Sequence, residues 1–441
     1  MATAGSEGAD AARVGRDNPD DQDLVSEISE ALAAAGCDGH VVGVAVSGGG
    51  DSVALLRLAH RWAAVSGRRI LAVTVDHGLR EASKAEARFV ADTCDVLGIT
   101  HDILCWETPP DPTNGNLQDA ARTARRRLIG EWARCRGASS VLLGHTEDDQ
   151  AETFLMRLAR GSGVDGLACM ETVTSGDGFD WIRPLLGVSR SRLRRFLESA
   201  GSGWCEDPSN DDDRFLRTRV RKARSRLEDL GLSAATLTAT AGRMQRARAG
   251  LDAAVLELAK RVAEPTGAGS VRIALADVSE APEEVRYRLL SHALMWVSGV
   301  RYRPRFDALL RLEAAIWAGR PATLSGCHVV LDSPGFIEVC RETAAMTDVP
   351  APPVDGVFDR RWRVRVPPGQ DGVIIRPLGE PGLALCPGWR DRSLSRTALR
   401  ATPSFWKSGS LISAPLAGME SGYGCRLAEG AESFFRSIGD R

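Results

Sequence analysis

From about residue 36 to 165 the apolar positions follow two alternating periods. VVGVAV (41–46) is a short continuous apolar run, the pattern of a strand buried on both faces. SVALLRLAHRWAAV (52–65) then repeats its apolar residues at helical spacing. RILAVTVDHG (69–78) predicts a second strand, stopped by Gly78, and KAEARFVADTCDVLG (84–98) an amphipathic helix ended by Gly98. ITHDILCW (99–106) is a third strand. LQDAARTARRRLIGEWARCRG (117–137) is a long helix that Asn116 is placed to cap and Gly137 to close. SSVLLGH (139–145) is a fourth strand and DDQAETFLMRLARG (148–161) a further helix. Strands alternating with helices predict βαβ units and a parallel sheet covered on both faces.

After about residue 165 the alternation stops. Residues 187–200, 227–262 and 281–320 read as helices. From about 340 Pro and Gly rise, and short strand-like pieces follow: FIEVC, WRVRV, GVIIRPL and GSLISAPL. The expected organisation is a tail (1–35), an α/β parallel-sheet catalytic domain (36–226), a helical domain (227–338) and a small α+β C-terminal domain (339–441). No internal repeat is visible.

Composition narrows the class. The chain is 43% hydrophobic and 26% charged, and no apolar run approaches the ~18 residues of a membrane span. The N-terminus, MATAGSEGADAARVGRDNPDDQDL, lacks the basic start and apolar core of a secretory signal; acidic and rich in small residues, it is expected to be disordered. The expected location is the cytoplasm, without membrane attachment. Ten cysteines are present, but none forms C-x-x-C or zinc-finger spacing, so they read as reduced thiols. A net charge of −2 gives no bulk sign of nucleic-acid binding. The distribution does: RTRVRKARSR (217–226) holds six basic residues and no acid, and RTARRR (122–127) is similar.

The chemistry begins where the first strand ends. Ser47, Gly48, Gly49, Gly50, Asp51 and Ser52 lie between that strand and the first helix. Three glycines let backbone amides approach a ligand, and amides at a helix start favour an anion. The pattern is neither G-x-x-x-x-G-K-[ST] nor G-x-G-x-x-G. An acid, Asp51, stands where a P-loop has Lys. A carboxylate beside phosphate calls for a bridging cation, which points to Mg²⁺. The plain alternative is a strand-to-helix turn with no ligand. Asp76 and His77 end the second strand, on the edge that forms the crevice in open α/β sheets, although a strand-end turn would also use them. His145 ends the fourth strand. Asp149 and Glu152 lie one turn apart on the next helix and could converge with Asp51 on that crevice. First-turn acids also serve as caps; the expectation is that Asp148 caps while Asp149 faces the site.

S-G-G-x-D-S after the first strand resembles the PP-loop family, enzymes that split ATP between the α- and β-phosphates. The order VTVDHGLR (73–80), NLQDAAR (116–122), GHTEDDQAET (144–153), RGSG, RPLL and W-C-EDPSN with FLRTRVR resembles the tRNA(Ile)-lysidine synthetase branch, over roughly residues 40–222. Beyond that the likeness is general or weak, resting on RPLG (376–379) and LSRTALRATPSFW (394–406). Thr146 stands where the family often has a second His, and Thr218 where it often has Asn.

The resemblance implies lysine joined to C2 of the wobble cytidine of isoleucine tRNA with a CAU anticodon, through an O2-adenylated base, with AMP and pyrophosphate released. It implies ATP and Mg²⁺, with Asp51 and Asp149 as metal ligands. His145 and Glu152 are candidates to hold or take the lysine proton. Ser47 to Ser52, Asp76 and His77 would hold the nucleotide. Arg122, Arg125, Arg126, Arg217, Arg219 and Arg221 would meet RNA phosphates, although such runs are commonly solvated helix faces. By the same analogy the later domains would select the tRNA. The oligomeric state is left open, a homodimer being one option. Three rivals remain: a tRNA cytidine thiolase, disfavoured by the lack of C-x-x-C; a small-molecule amidating synthetase, which needs no arginine-rich segment; and a non-catalytic nucleotide or RNA binder.

Overall fold

The computed structural model describes residues 19–76, 81–106, 117–176, 178–206, 216–300, 302–350, 352 and 355–439. His77, Asn116 and most of the stretch EDPSNDDDRF lie outside the described residues. The chain divides into two compact units, Met1–Arg248 and Ala249–Arg441.

In the first unit, the predicted alternation forms β1 (Val41–Ala45), α2 (Gly50–Ser66), β2 (Arg69–Asp76), α3 (Glu81–Leu97), β3 (Thr100–Cys105), α4 (Leu117–Arg136), β4 (Ser140–Leu143) and α5 (Glu147–Leu158). A short helix α6 (Val164–Leu167) and the strands β5 (Val173–Gly176) and β6 (Phe179–Ile182) follow. The sheet runs β3-β2-β1-β4-β6-β5, parallel throughout except for the antiparallel edge strand β5. Its central strand is apolar on both faces: Val42 and Val44 lie in the core shared with α2, while Val41 and Ala45 pack with Trp132 of α4. That double burial is why the run shows no period-2 alternation. Helices α7 (Arg190–Ser199), α8 (Leu216–Asp229) and α9 (Ala234–Val262) follow.

The N-terminal tail requires a correction. From Pro19 it is the helix α1 (Pro19–Ala34), not a disordered segment. Leu24, Ile28 and Leu32, one turn apart, are fully buried against the α2 core. Each such side chain contributes about 1.5–3 kcal/mol of transfer free energy, which with the backbone hydrogen bonds of the helix works against the entropy of ordering it.

The segments read as helices form them with breaks at glycine. α8 and α9 are separated around Gly231, and α11 (Glu283–Ser298) and α12 (Phe306–Trp317) around Gly299, both at positive φ. The second unit also has strands within the stretch read as helical: β7 (Ala263–Pro265), β8 (Val271–Ala274), β9 (Ala322–Leu324) and β10 (Cys327–Ser333), beside the short helix α10 (Leu275–Glu280). They join β11 (Phe336–Arg341) in one antiparallel sheet, order β7-β8-β11-β10-β9. A border at 338/339 cuts through β11, the middle strand of that sheet. The remaining strand-like pieces fall in two small sheets, of four and three strands.

Candidate active site

The loop after β1 is held by its own hydroxyls. The Ser47 amide donates to Ser52 Oγ at 3.1 Å, and Ser52 Oγ donates to the Gly49 carbonyl at 2.8 Å. Gly48 sits at φ 88°, in the left-handed region that a side chain would strain. Gly49 caps α2, and Asp51 lies in its first turn. Two close approaches frame the loop. A Cβ on Gly144 would lie 3.1 Å from the Ser52 backbone, and one on Gly50 would lie 3.5 Å from the Trp204 ring. The amides of the first turn of α2 therefore stand at the C-terminal edge of the sheet, where an anion is favoured.

Opposite this loop, α5 opens on a capping box. Thr146 is the N-cap, and the Asp149 carboxylate accepts from the Thr146 amide at 2.9 Å. The expected division of labour between the two acids is thus reversed in part: Asp149 caps its own helix with Oδ2 and keeps Oδ1 for the site. Asp148 instead accepts the backbone N–H of Arg190 at 2.6 Å and pairs with Arg224. The reason is geometric. A carboxylate at the third helical position reaches back to the N-cap amide, whereas one residue earlier it points sideways, here at α7 and α8.

Asp51, Asp149 and Glu152 do converge, and an arginine unassigned from the sequence joins them. Arg190 Nε donates to Asp51 Oδ2 at 3.0 Å, Arg190 Nη2 donates to Asp149 Oδ1 at 3.2 Å, and Arg190 Nη1 lies 3.6 Å from Glu152 Oε1. Arg217 donates to Glu152 at 2.6 Å and to Asp149 at 2.9 Å; Arg221 donates to Glu152 at 2.8 Å. Glu152 is only 5% exposed and Asp149 8%. Burial pushes the Asp51 carboxyl up, against the pull of Arg190. Asp148 is held below the usual carboxylate range because the Arg190 N–H and Arg224 outweigh its burial. Arg190 stands at the start of α7, at the end of the stretch RPLLGVSR. Its one sequence signal was its place in that motif, since its partners are far away along the chain.

The other candidates spread along the same strand ends. Asp76 accepts from Ser83 Oγ at 2.6 Å. His145 is half-buried, and its imidazole is pushed down to about 4, chiefly by burial, with Arg183, Arg122 and Arg217 reinforcing and Asp149 opposing. It is therefore neutral near pH 7. Arg122, Arg125 and Arg126 are exposed on α4, the last stacked 5.3 Å from the Trp181 ring. Of the arginines expected to face RNA, Arg217 and Arg221 reach buried acids, while Arg219 is exposed.

The donor chemistry suits Mg²⁺. Asp51 and Asp149 offer hard oxygens to one shared cation, a role Arg190 fills here. Among the described residues no three His, Cys, Asp or Glu side chains gather as a metal site. Two carboxylates completed by phosphate oxygens are the usual protein share of a Mg²⁺ shell.

A glycine loop on a parallel sheet, with an acid in place of the P-loop lysine, defines a PP-loop nucleotide-binding protein. The PP-loop domain model matches residues 21–226, so this part is an ATP-binding PP-loop domain. Relatives narrow it further. The chain is 40% identical over 417 residues to tRNA(Ile)-lysidine synthase of Ruegeria pomeroyi, covering 95% of this chain and 98% of that one. It is 38% identical over 380 residues to that of Mesorhizobium japonicum, covering 83% and 82%, and 42% over 276 residues to that of a Bradyrhizobium species, covering 60% and 76%. The chain belongs to the tRNA(Ile)-lysidine synthase family, and it is an enzyme of the ligase class. No helix among the described residues is long and apolar enough to cross a membrane.

Proposed function

We propose that this enzyme joins lysine to C2 of the wobble cytidine of isoleucine tRNA bearing CAU, in the cytoplasm, through an O2-adenylated base with release of pyrophosphate and then AMP. The observation that carries the reading is the convergence of Asp51, Asp149 and Glu152 beside the Ser47–Ser52 loop, in a chain alike to lysidine synthases over nearly its whole length.

The geometry fits both half-reactions. Amides and hydroxyls of the loop receive the β- and γ-phosphates, where charge grows as the cytidine O2 attacks the α-phosphate. Mg²⁺ held by Asp51 and Asp149 would neutralise that charge. Glu152 and Asp149, both buried, offer carboxylate oxygens to the ε-ammonium of lysine, and neutral His145 is poised to take its proton before attack on C2. Exposed Arg122, Arg125, Arg126 and Arg219 would meet phosphates around the unstacked base. Selection of the tRNA would fall to the segments after 226.

The test is incubation of the full chain with ATP, Mg²⁺, labelled lysine and the CAU-bearing transcript. Label entering the tRNA with AMP and pyrophosphate release is expected. ATP split without lysine entering would indicate a different nucleophile on the same PP-loop chemistry, and no tRNA-dependent turnover would overturn the reading.

A further inference from the structure

We propose that Arg122, His145 and Arg183 form a phosphate-binding corner at the ends of β4 and β6, separate from the Ser47–Ser52 loop. It rests on the reading above, which brings two bearers of phosphate to this edge, the RNA backbone and ATP.

β4 and β6 are parallel neighbours, with Leu142 opposite Ile182. Arg183 follows directly on β6, and His145 lies three residues past Leu142. Arg183 is 8% exposed. One of its terminal nitrogens donates to the Glu171 carbonyl at 2.9 Å and Thr174 Oγ1 at 3.0 Å. Its Nε is buried without a partner, and so are His145 Nδ1 and the Trp181 indole nitrogen. The Arg183 and Trp181 N–H groups, two residues apart along β6 and its end, are costly to leave open unless a ligand meets them, and His145 Nδ1 adds a third unpartnered nitrogen at the end of the neighbouring strand.

The charges agree. Burial and the nearby Arg126 and Arg122 bring Arg183 down to about 10, with only Glu171 opposing, and the Glu171 carboxylate is already paired with Arg248. Among the described residues neither Arg122 nor Arg183 forms an ion pair with a carboxylate. Guanidinium forks match phosphate oxygens bidentately, and like charges gathered behind an exposed one raise the local pull on an anion. Exposed Arg122 would make the outer contact, His145 the rim, and Arg183 the buried charge behind them.

Binding rather than turnover reads the proposal. Affinity of the full chain for the tRNA transcript, against salt, and for a non-hydrolysable ATP analogue is measured for wild type, Arg122→Gln and Arg183→Gln, with Arg183→Lys as the conservative partner. If RNA supplies the phosphate, Arg122→Gln weakens tRNA binding by about tenfold and makes the log–log salt slope shallower by about one, with the analogue bound as before. If ATP supplies it, the analogue weakens and tRNA does not. Either result supports the corner. Folded Arg122→Gln protein that binds both ligands with wild-type affinity and slope overturns it. Should the Arg183 variants fail to fold, Arg122→Gln decides alone. Wild-type protein that binds both ligands but incorporates no lysine would sink the lysidine reading and leave the corner standing.

Discussion

Two groups of arginines stand at the same strand ends in opposite electrostatic states. Arg190, Arg217, Arg221 and Arg224 meet Asp51, Asp148, Asp149 and Glu152, charge for charge. Among the described residues Arg122 and Arg183 form no ion pair with a carboxylate; Arg122 holds the Arg183 guanidinium down, and both hold down His145. The first group can hold itself together without a ligand, so its arginines are counter-ions that substrates or metal must displace. The second is incomplete, so its arginines await an anion. A basic run in a sequence reads the same in both cases; what it faces decides its role.

The comparison can be broken or sharpened by substitution, starting with the balanced group. Asp51→Asn should lower kcat by about a hundredfold or more while the protein stays folded, because it removes one of the two carboxylates proposed to hold the Mg²⁺ that neutralises phosphate charge. Pyrophosphate release under saturating substrates checks this. Unchanged turnover would make Asp51 only a partner of Arg190, with no share in the catalysis.

Arg190→Gln should leave Asp51, Asp149 and Glu152 facing one another and cost about 3 kcal/mol of stability. If Mg²⁺ uses the same carboxylates, millimolar Mg²⁺ should stabilise this variant more than wild type. Urea unfolding with and without the metal measures both. Equal stabilisation would place the metal elsewhere.

His145 sharpens the unbalanced side. Its folded pKa of about 4 lies below the ordinary histidine value, so between these the unfolded chain binds the extra proton. The contribution of this group is fully present above about pH 6.5 and is lost as pH falls toward 4, on the order of 3 kcal/mol. Urea midpoints across that range should fall less steeply in His145→Gln than in wild type. Parallel slopes would show that acids elsewhere govern the whole acid loss.

The smallest effect concerns the cap beneath the balanced group. Thr146→Ala should cost about 1 kcal/mol, because it removes one half of the capping box with Asp149. The same unfolding series measures it. A loss near zero would mean that the backbone N–H of residue 146 and the arginines hold Asp149 in place without the hydroxyl.

Much of the first unit was legible because its signals are short-range. The apolar run of β1, the glycines and serines after it, and the spacing of Asp149 and Glu152 each act within a few residues. The misreadings came from thin or short local signals and from contacts made at a distance. The first helix looked like a polar tail because three buried apolar residues in sixteen are a thin stripe until α2 supplies the other side. The strands β7 to β10 were missed because three of them are only three or four residues long, too short to show a period, and β8 meets its partner β11 only across the helices α10 to α12. Asp148 was taken for the cap because one residue of helical phase, which depends on where α5 begins, separates the two acids.

By itself the sequence determined a parallel α/β unit, an anion-binding loop with an acid in it, and the acids that could join that acid. These follow from backbone periodicity and from the chemistry of adjacent residues. Tertiary structure alone decided what each charge faces. Arg190 meets Asp51 across 139 residues, and Arg217 meets Glu152 across 65. Coulomb interactions reach several ångströms through space in any direction, so the partner of a charged side chain is set by which elements pack together, not by its neighbours along the chain.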